Sequence, residues 1–241
     1  MNELLTSIAE NLIFFLEFLG IVAALILIAL LAERINARKQ EKCEKILTTR
    51  KIAMVGVFSA IAAILHILDF PVPFAPPFYK MDFSELPALI GGFAFGPIAA
   101  VLIEFCKILL KLLFKGTSTA FVGDLANFLV GCTFLLPASV IYLFRKTKKT
   151  AIFSCVVGTL IMTVFGTAFN AIYLLPKFAQ LYGMPLEAII EMGHAINPAI
   201  NSVTTLVVFA VAPMNLLKGG IVSLVTILVY KKISPILHSS K

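Results

Sequence analysis

Apolar segments recur along this chain at the length a helix needs to cross a bilayer, and that recurrence leaves few folds open. The runs at 11–32, 52–69, 98–114, 120–144, 150–175 and 214–230 lie near the ~20 residues that carry a helix through a hydrocarbon core. Leu, Ile, Val, Ala, Gly and Phe follow one another in them without period-two alternation, which reads as helix and not as the strands of an outer-membrane barrel. With 60% of its residues hydrophobic and 14% charged, the chain is expected to be an all-α, polytopic membrane helix bundle. Its net charge of +7 does not point to nucleic acid, because the basic residues sit in short segments beside the spans, where they set topology.

The densest basic block, Arg34, Arg38, Lys39, Lys42, Lys45, Arg50 and Lys51, follows the first run, and such blocks stay in the cytoplasm. Residues 1–33 are therefore expected to be an uncleaved N-terminal transmembrane helix that starts outside. A signal peptide would want a positive start, and only Glu3 and Glu10 precede this run. Residues 34–51 then form a cytoplasmic linker, 52–233 the main transmembrane domain and 234–241 a cytoplasmic tail. Arg145-Lys146-Thr147-Lys148-Lys149 and Lys231-Lys232 mark the same side. Counting a short helix after Pro87, this gives seven spans with the C-terminus inside the cell.

The second span carries Ala53, Gly56, Ala60 and Ala63 at spacings of three, four and three, a narrow stripe of small residues that lets another helix approach closely. Phe70-Pro71-Val72-Pro73-Phe74-Ala75-Pro76-Pro77-Phe78-Tyr79-Lys80 cannot be helical, since its prolines remove donors and hold their neighbours extended. It is expected to be an external aromatic loop suited to cover a flat ligand. Asp82-Phe83-Ser84-Glu85 then has the capping and acidic residues of a helix start.

Polar groups inside the apolar runs need partners, because a charge at the bilayer centre costs roughly 2.5–3.5 kcal/mol on insertion scales. Glu104, Lys107 and Lys111 share one helix face, and Asp124 is a candidate ion partner for Lys107 or Lys111. Asn170 and Tyr173, and Asn215 and Lys218, are each three apart and so share a face on a helix. Pro213 suits a first turn, which would open the last span at Met214 and leave 177–211 as an external loop with surface helices. Two amides and an ammonium match a planar heterocycle with alternating carbonyl and N–H groups, and flat rings want Phe and Tyr walls. The chain has no Gly-x-x-x-x-Gly-Lys-Ser/Thr loop, His-Glu-x-x-His or Gly-x-Ser-x-Gly motif, so no ATP motor of that kind and no enzyme centre is indicated. The cysteines show no metal-ligand spacing, and His66, His194 and His238 are far apart in sequence.

Four stretches resemble the substrate-binding S components of energy-coupling factor (ECF) vitamin transporters, and among them the riboflavin-specific members. They are Phe78 to Gly92, Gly123-Asp124-Leu125-Ala126-Asn127-Phe128, Asn170 to Pro176, and Pro213 to Lys218. The resemblance covers residues 50–233 and implies a six-helix S-component core, to which residues 1–33 add one extra N-terminal transmembrane helix. It implies an extracellular vitamin site, with Asn170, Asn215 and Lys218 at the positions that bind the isoalloxazine and Tyr173, Phe78, Tyr79, Asp82 and Asn127 as further candidates. The implied partners are riboflavin, with FMN or analogues as further ligands, a transmembrane coupling subunit facing the Ala53/Gly56/Ala60/Ala63 stripe, and two ATPase subunits. No cofactor and no catalysis are expected, and the location is a bacterial cell membrane. Two other readings stay open on the residues alone: an S component for a different vitamin, and a self-sufficient ion-coupled transporter using Glu104, Lys107 and Asp124.

Overall fold

The computed structural model describes residues 12–40, 47–117, 119 and 121–238. The expectations for residues 1–11, for the stretch of the basic linker with Lys42, Cys43 and Lys45, for Ser118 and Ala120 and for the end of the tail at 239–241 lie outside the described residues. The described chain is helical almost throughout, and five of its helices are long and apolar enough to cross a membrane.

Helix α1 (Leu12–Lys39) is followed by α2 (Thr49–Ile67), whose first turn is closed by the Thr48 side chain accepting from the Lys51 amide. The proline-rich segment that follows is not helical, as its composition requires. Its ends are clamped by a two-residue antiparallel ladder, β1 (Phe70–Pro71) against β2 (Lys80–Met81). Helices α3 (Glu85–Phe95) and α4 (Pro97–Lys115) meet at Gly96, which takes φ +96 and so allows the chain to break and restart at once. Helices α5 (Val122–Phe144) and α6 (Lys148–Phe169) complete the centre of the bundle.

Two of the seven expected spans depart from a plain apolar crossing. Helix α3 has 11 residues, about half of what a perpendicular crossing takes. Helix α4 is long enough but carries Glu104, Lys107, Lys111 and Lys115. Glu85, Glu104 and Lys107 of these helices are buried in the bundle, whereas Lys115 lies exposed at the end of α4.

The last third of the chain differs most from expectation. Beyond α6 the helix does not stop near Leu175. It widens into a π turn at Asn170–Leu174 and continues as α7 (Leu175–Tyr182). A surface helix α8 (Leu186–His194) follows. The final helix does not open at Met214: it starts with α9 (Val203–Leu206), under a Ser202 capping box, passes a second π turn at Val207–Val211 and runs on as α10 (Ala212–His238). Residues 177–211 are thus mostly helical, beyond the surface helices expected of an external loop there. In both places the π turn ends two residues before a proline, Pro176 and Pro213. Proline has no N–H for the carbonyl one turn back, and the wider turn, with Leu175 donating to Asn170 and Ala212 to Val207, resets the ladder without breaking the helix.

Two apolar cores lie on either side of the polar centre. The main one joins α2, α3, α4, α5, α6 and α10 through Phe58, Leu89, Phe93, Ile103, Phe134, Leu135 and Met162. A second unites the loop residues Val72, Ala75, Tyr79 and Met81 with Leu175, Ala179, Ile189 and Leu206 of the outer helices and Ile200 of the connection between α8 and α9. Helix α1 adds a third, packing Phe18, Val22 and Ala29 against Ile98, Val101, Phe128 and Cys132 of α4 and α5. At the far end Glu33 of α1 accepts from the Lys51 ammonium at 2.9 and 3.0 Å and from the Ile98 amide at 3.0 Å. The absent side chain of Gly96 makes room for that carboxylate, because a Cβ there would collide with it.

Candidate functional site

Between the main core and the outer one lies a cavity of about 490 Å³. The loop contributes Phe78, Tyr79 and Asp82, α5 contributes Asn127, the first π turn Asn170, and α10 Asn215 and Lys218. Seven of the eight candidate ligand-contacting residues therefore line one space, although they come from four separate stretches of sequence. Tyr173 does not join them. A π turn carries more residues per turn than an α-helix, so the three-residue spacing from Asn170 no longer holds one face. Leu174 lines the cavity instead, and Tyr173 stacks on Phe169 with ring centroids 5.2 Å apart.

The helix geometry places Asn215 and Lys218 deeper than a first-turn Pro213 would have done, since α9 and the second π turn precede them. Asn215 is 4% exposed, and its amide nitrogen has no partner. Its neighbour across the interface is Gly166 of α6, where a Cβ would come within 2.5 Å of that nitrogen. The Asn127 amide oxygen is likewise buried without a partner. Asn170 is committed on both ends, donating to the Gly166 carbonyl at 2.8 Å and accepting from the Tyr79 hydroxyl at 3.0 Å. The cavity thus offers an unengaged donor and an unengaged acceptor, both desolvated, which favours a ligand that supplies the complement of each.

Lys218 is held by carboxylates that sequence spacing did not pair with it. Its ammonium lies 2.8 Å from Glu85 and 3.3 Å from Asp82. Glu85 also receives Lys107 at 3.2 Å, and Lys107 pairs with Glu104 at 2.6 Å, so an unbroken run of charge leads from the cavity into the centre of the bundle. Ser84 links the two branches, accepting from Lys107 at 2.6 Å while its hydroxyl and its backbone amide donate to Asp82. Burial alone would push the Asp82 carboxyl up. Lys218, the hydrogen bond from His66 and the charge on Lys107 outweigh that and hold it well below the usual carboxylate range. Asp124 pairs with Lys111 at 2.7 Å and accepts from Thr117 at 2.8 Å.

Sequence marked Glu85 only as an acidic residue at the start of an otherwise apolar helix, where a carboxylate suits the positive helix end. His66, isolated from the other histidines in sequence, meets Asp82 of the loop at 3.2 Å. On α2, Ala53, Gly56 and Ala60 are exposed, whereas Ala63 is 3% exposed and turned into the bundle. The stripe on the surface is one residue shorter than its periodicity indicates, because its last member lies on the edge that packs inward.

Fold and cavity together define a helical membrane protein with a cavity under its proline-rich loop. The family described as "ECF transporter, substrate-specific component" matches residues 50–230, and this chain belongs to that family. Among its relatives are the riboflavin transporter RibU of Staphylococcus aureus, 34% identical over 77% of this chain and 90% of the relative, and the riboflavin transporter FmnP of Bacillus subtilis, 29% identical over 77% and 93%. A solved structure described as the S component of a bacterial ECF transporter superposes with a TM-score of 0.61 at 34% identity, covering 78% of this chain and 98% of that one. Helix α1 lies outside the family match.

Proposed function

We propose that this chain is the riboflavin-binding S component of an ECF uptake transporter, and that the cavity is its vitamin site. The observation that carries the proposal is the pair of buried amide atoms without partners, Asn215 Nδ2 and Asn127 Oδ1, beside an ammonium at Lys218 in a cavity walled by Phe78 and Tyr79. The pyrimidinedione edge of an isoalloxazine presents carbonyl and N–H groups in alternation and meets that set with acceptors and a donor, while the aromatic walls suit its flat faces. The names of the relatives agree with this ligand. FMN and analogues fall within the same reading, with Lys111 and Lys115 at the cavity for a phosphate, although Asp124 and Asp69 already engage them.

Lys39 stacks over Phe144, and Lys51 pairs with Glu33, at the end of the bundle away from the cavity. Basic ends face the cytoplasm, so the cavity opens outward, and the chain starts outside the cell and ends inside. Energy for import would come from a transmembrane coupling subunit bound to the exposed Ala53, Gly56 and Ala60 face, with two ATPase subunits behind it. The ion-coupled alternative draws on Glu104, Lys107 and Asp124, and the structure gives it less support: Lys107 pairs with Glu104 and Glu85, whereas Asp124 pairs with Lys111. The deciding test is the visible absorption of protein purified in detergent from cells grown with riboflavin. A yellow sample that releases about one flavin per chain on denaturation supports the proposal. A colourless sample that also fails to quench riboflavin fluorescence overturns it.

A further inference from the structure

Lys107 of α4 is fully buried and stands behind the cavity wall to which Asp82, Glu85 and Lys218 belong. Its ammonium has three N–H donors and three oxygens around it, Ser84 Oγ at 2.6 Å, Glu85 Oε1 at 3.2 Å and Glu104 Oε1 at 2.6 Å. Two of these partners lead to Lys218. Glu85 holds the Lys218 ammonium directly, with its two oxygens at 2.8 and 2.9 Å. Ser84 leads there through Asp82. An ammonium can only donate, so the Ser84 hydroxyl accepts from Lys107 and its single proton is left for Asp82 Oδ1. The Ser84 backbone amide donates to that same oxygen at 2.8 Å, which leaves Oδ2 for Lys218 and His66, at 3.3 and 3.2 Å. Both carboxylates that hold Lys218 are thus fastened to one ammonium behind the wall. We infer that Lys107 is a positioning residue for the vitamin site, fixing through Glu85, Ser84 and Asp82 where the Lys218 ammonium stands. This rests on the riboflavin-binding reading proposed above.

Glu104 completes the arrangement. It is fully buried one turn before Lys107 on the same helix, and Gly131 of α5 makes room for its carboxylate, because a Cβ there would collide with Oε1. A buried ammonium needs a counter-charge, and one supplied from its own helix leaves both oxygens of Glu85 on Lys218. Lys107 and Glu104 can also be neutralised as a unit. One acid and one base then go together, so the formal charge of the cluster around Lys218 stays as it was. A change of affinity in such a variant reports lost positioning and not a changed net charge.

The test is Lys107→Met/Glu104→Gln in the full chain in detergent, read by riboflavin fluorescence quenching and by thermal unfolding without ligand. Replacing a buried ion pair by uncharged side chains of similar volume is often neutral or stabilising, so the ligand-free variant should unfold at the wild-type temperature or above. Its riboflavin affinity should nevertheless fall about tenfold, as when one buried hydrogen bond is lost. The loss should run through Lys218. In a Lys218→Gln background the same double substitution should change affinity by less than about twofold, the limit within which independent effects add. A merely structural role would lower affinity by the same factor in both backgrounds, and that result overturns the inference, as does wild-type affinity in the double variant. If the double variant does not fold, or Lys218→Gln binds too weakly for the comparison, Ser84→Ala decides. It cuts the branch to Asp82 while keeping every charge, and it should weaken binding about threefold; wild-type affinity there overturns the inference. A wild type that binds no riboflavin overturns the functional reading and this inference with it, whereas normal wild-type binding with equal factors in the two backgrounds overturns this inference alone.

Discussion

The Tyr79 hydroxyl donates to Asn170 Oδ1 across 3.0 Å and so fastens the proline-rich loop to the first π turn, 91 residues away in sequence. Both residues are buried. The bond closes one wall of the cavity with a loop residue that also belongs to the outer apolar core, so the cover and the site share a part. Tyr79→Phe keeps the ring and deletes the bond. Riboflavin affinity should fall by about 0.5–1.5 kcal/mol, with the change in the dissociation rate, as stopped-flow fluorescence would show. An unchanged rate would mean that the loop is held by its apolar contacts alone.

Asn215 and Lys218 should respond differently to truncation, although both line the cavity. Asn215→Ala removes an amide whose nitrogen has no partner within the chain, so it should weaken flavin binding by roughly 1–3 kcal/mol and leave the ligand-free protein as stable as before. Lys218→Ala strips the counter-charge from Glu85 and Asp82 and should also lower the melting temperature of the empty protein, since breaking a buried pair costs about 3–5 kcal/mol. Thermal unfolding without ligand separates the two cases, and equal melting temperatures would contradict the pairing.

Gly166→Ala tests the site without altering any group that faces the cavity. Its Cβ would come within 2.5 Å of the Asn215 amide nitrogen, the movable end of a side chain, so the amide should turn and the backbone stay. The expected outcome is a folded protein with flavin affinity close to that of Asn215→Ala. Wild-type affinity would show that Asn215 is not held where the ligand needs it.

On the outer face of α2, Gly56 has open space where a side chain would stand. Gly56→Leu should therefore insert and bind riboflavin as wild type does. It should lose association with the coupling subunit and ATP-dependent uptake in reconstituted vesicles, because small-residue faces pack by close approach. Retained uptake would place the coupling contact elsewhere.

The clasp between α1 and the rest of the bundle has its own signature. Glu33→Gln leaves the buried Lys51 ammonium without its counter-charge, and stability should drop by roughly 3 kcal/mol, measured as a lower melting temperature. Lys51→Met alongside it should restore part of the loss, since no buried ammonium is then left without a counter-charge.

Much of the site was legible without coordinates, because a polar side chain in an apolar run has few reasons to be there. Asn170, Asn215 and Lys218 stood out on that ground, as did Phe78 and Tyr79 in a segment that proline forbids from being helical, whereas Asn127 was implied only by the family resemblance. Local rules failed where the helix itself changed pitch. Spacing placed Tyr173 with Asn170 and opened the last helix at Met214, and both statements assume an α-helix interrupted or begun by proline. Two π turns absorb Pro176 and Pro213 instead, which requires neighbouring helices to make the wider turn worthwhile.

Sequence alone determined that this chain is a bundle of membrane-length apolar helices, where proline keeps a segment from being helical and which polar groups need an explanation, because hydrophobic length and missing backbone donors are properties of short stretches. Tertiary structure alone decided which charges meet. Lys218 could pair with any carboxylate within reach. That it takes Glu85 and Asp82, with His66 sharing the latter and Asp124 left to Lys111, follows from the packing of α2, α3, α4 and α10, since desolvated charges interact over a few ångströms of space and not along the chain.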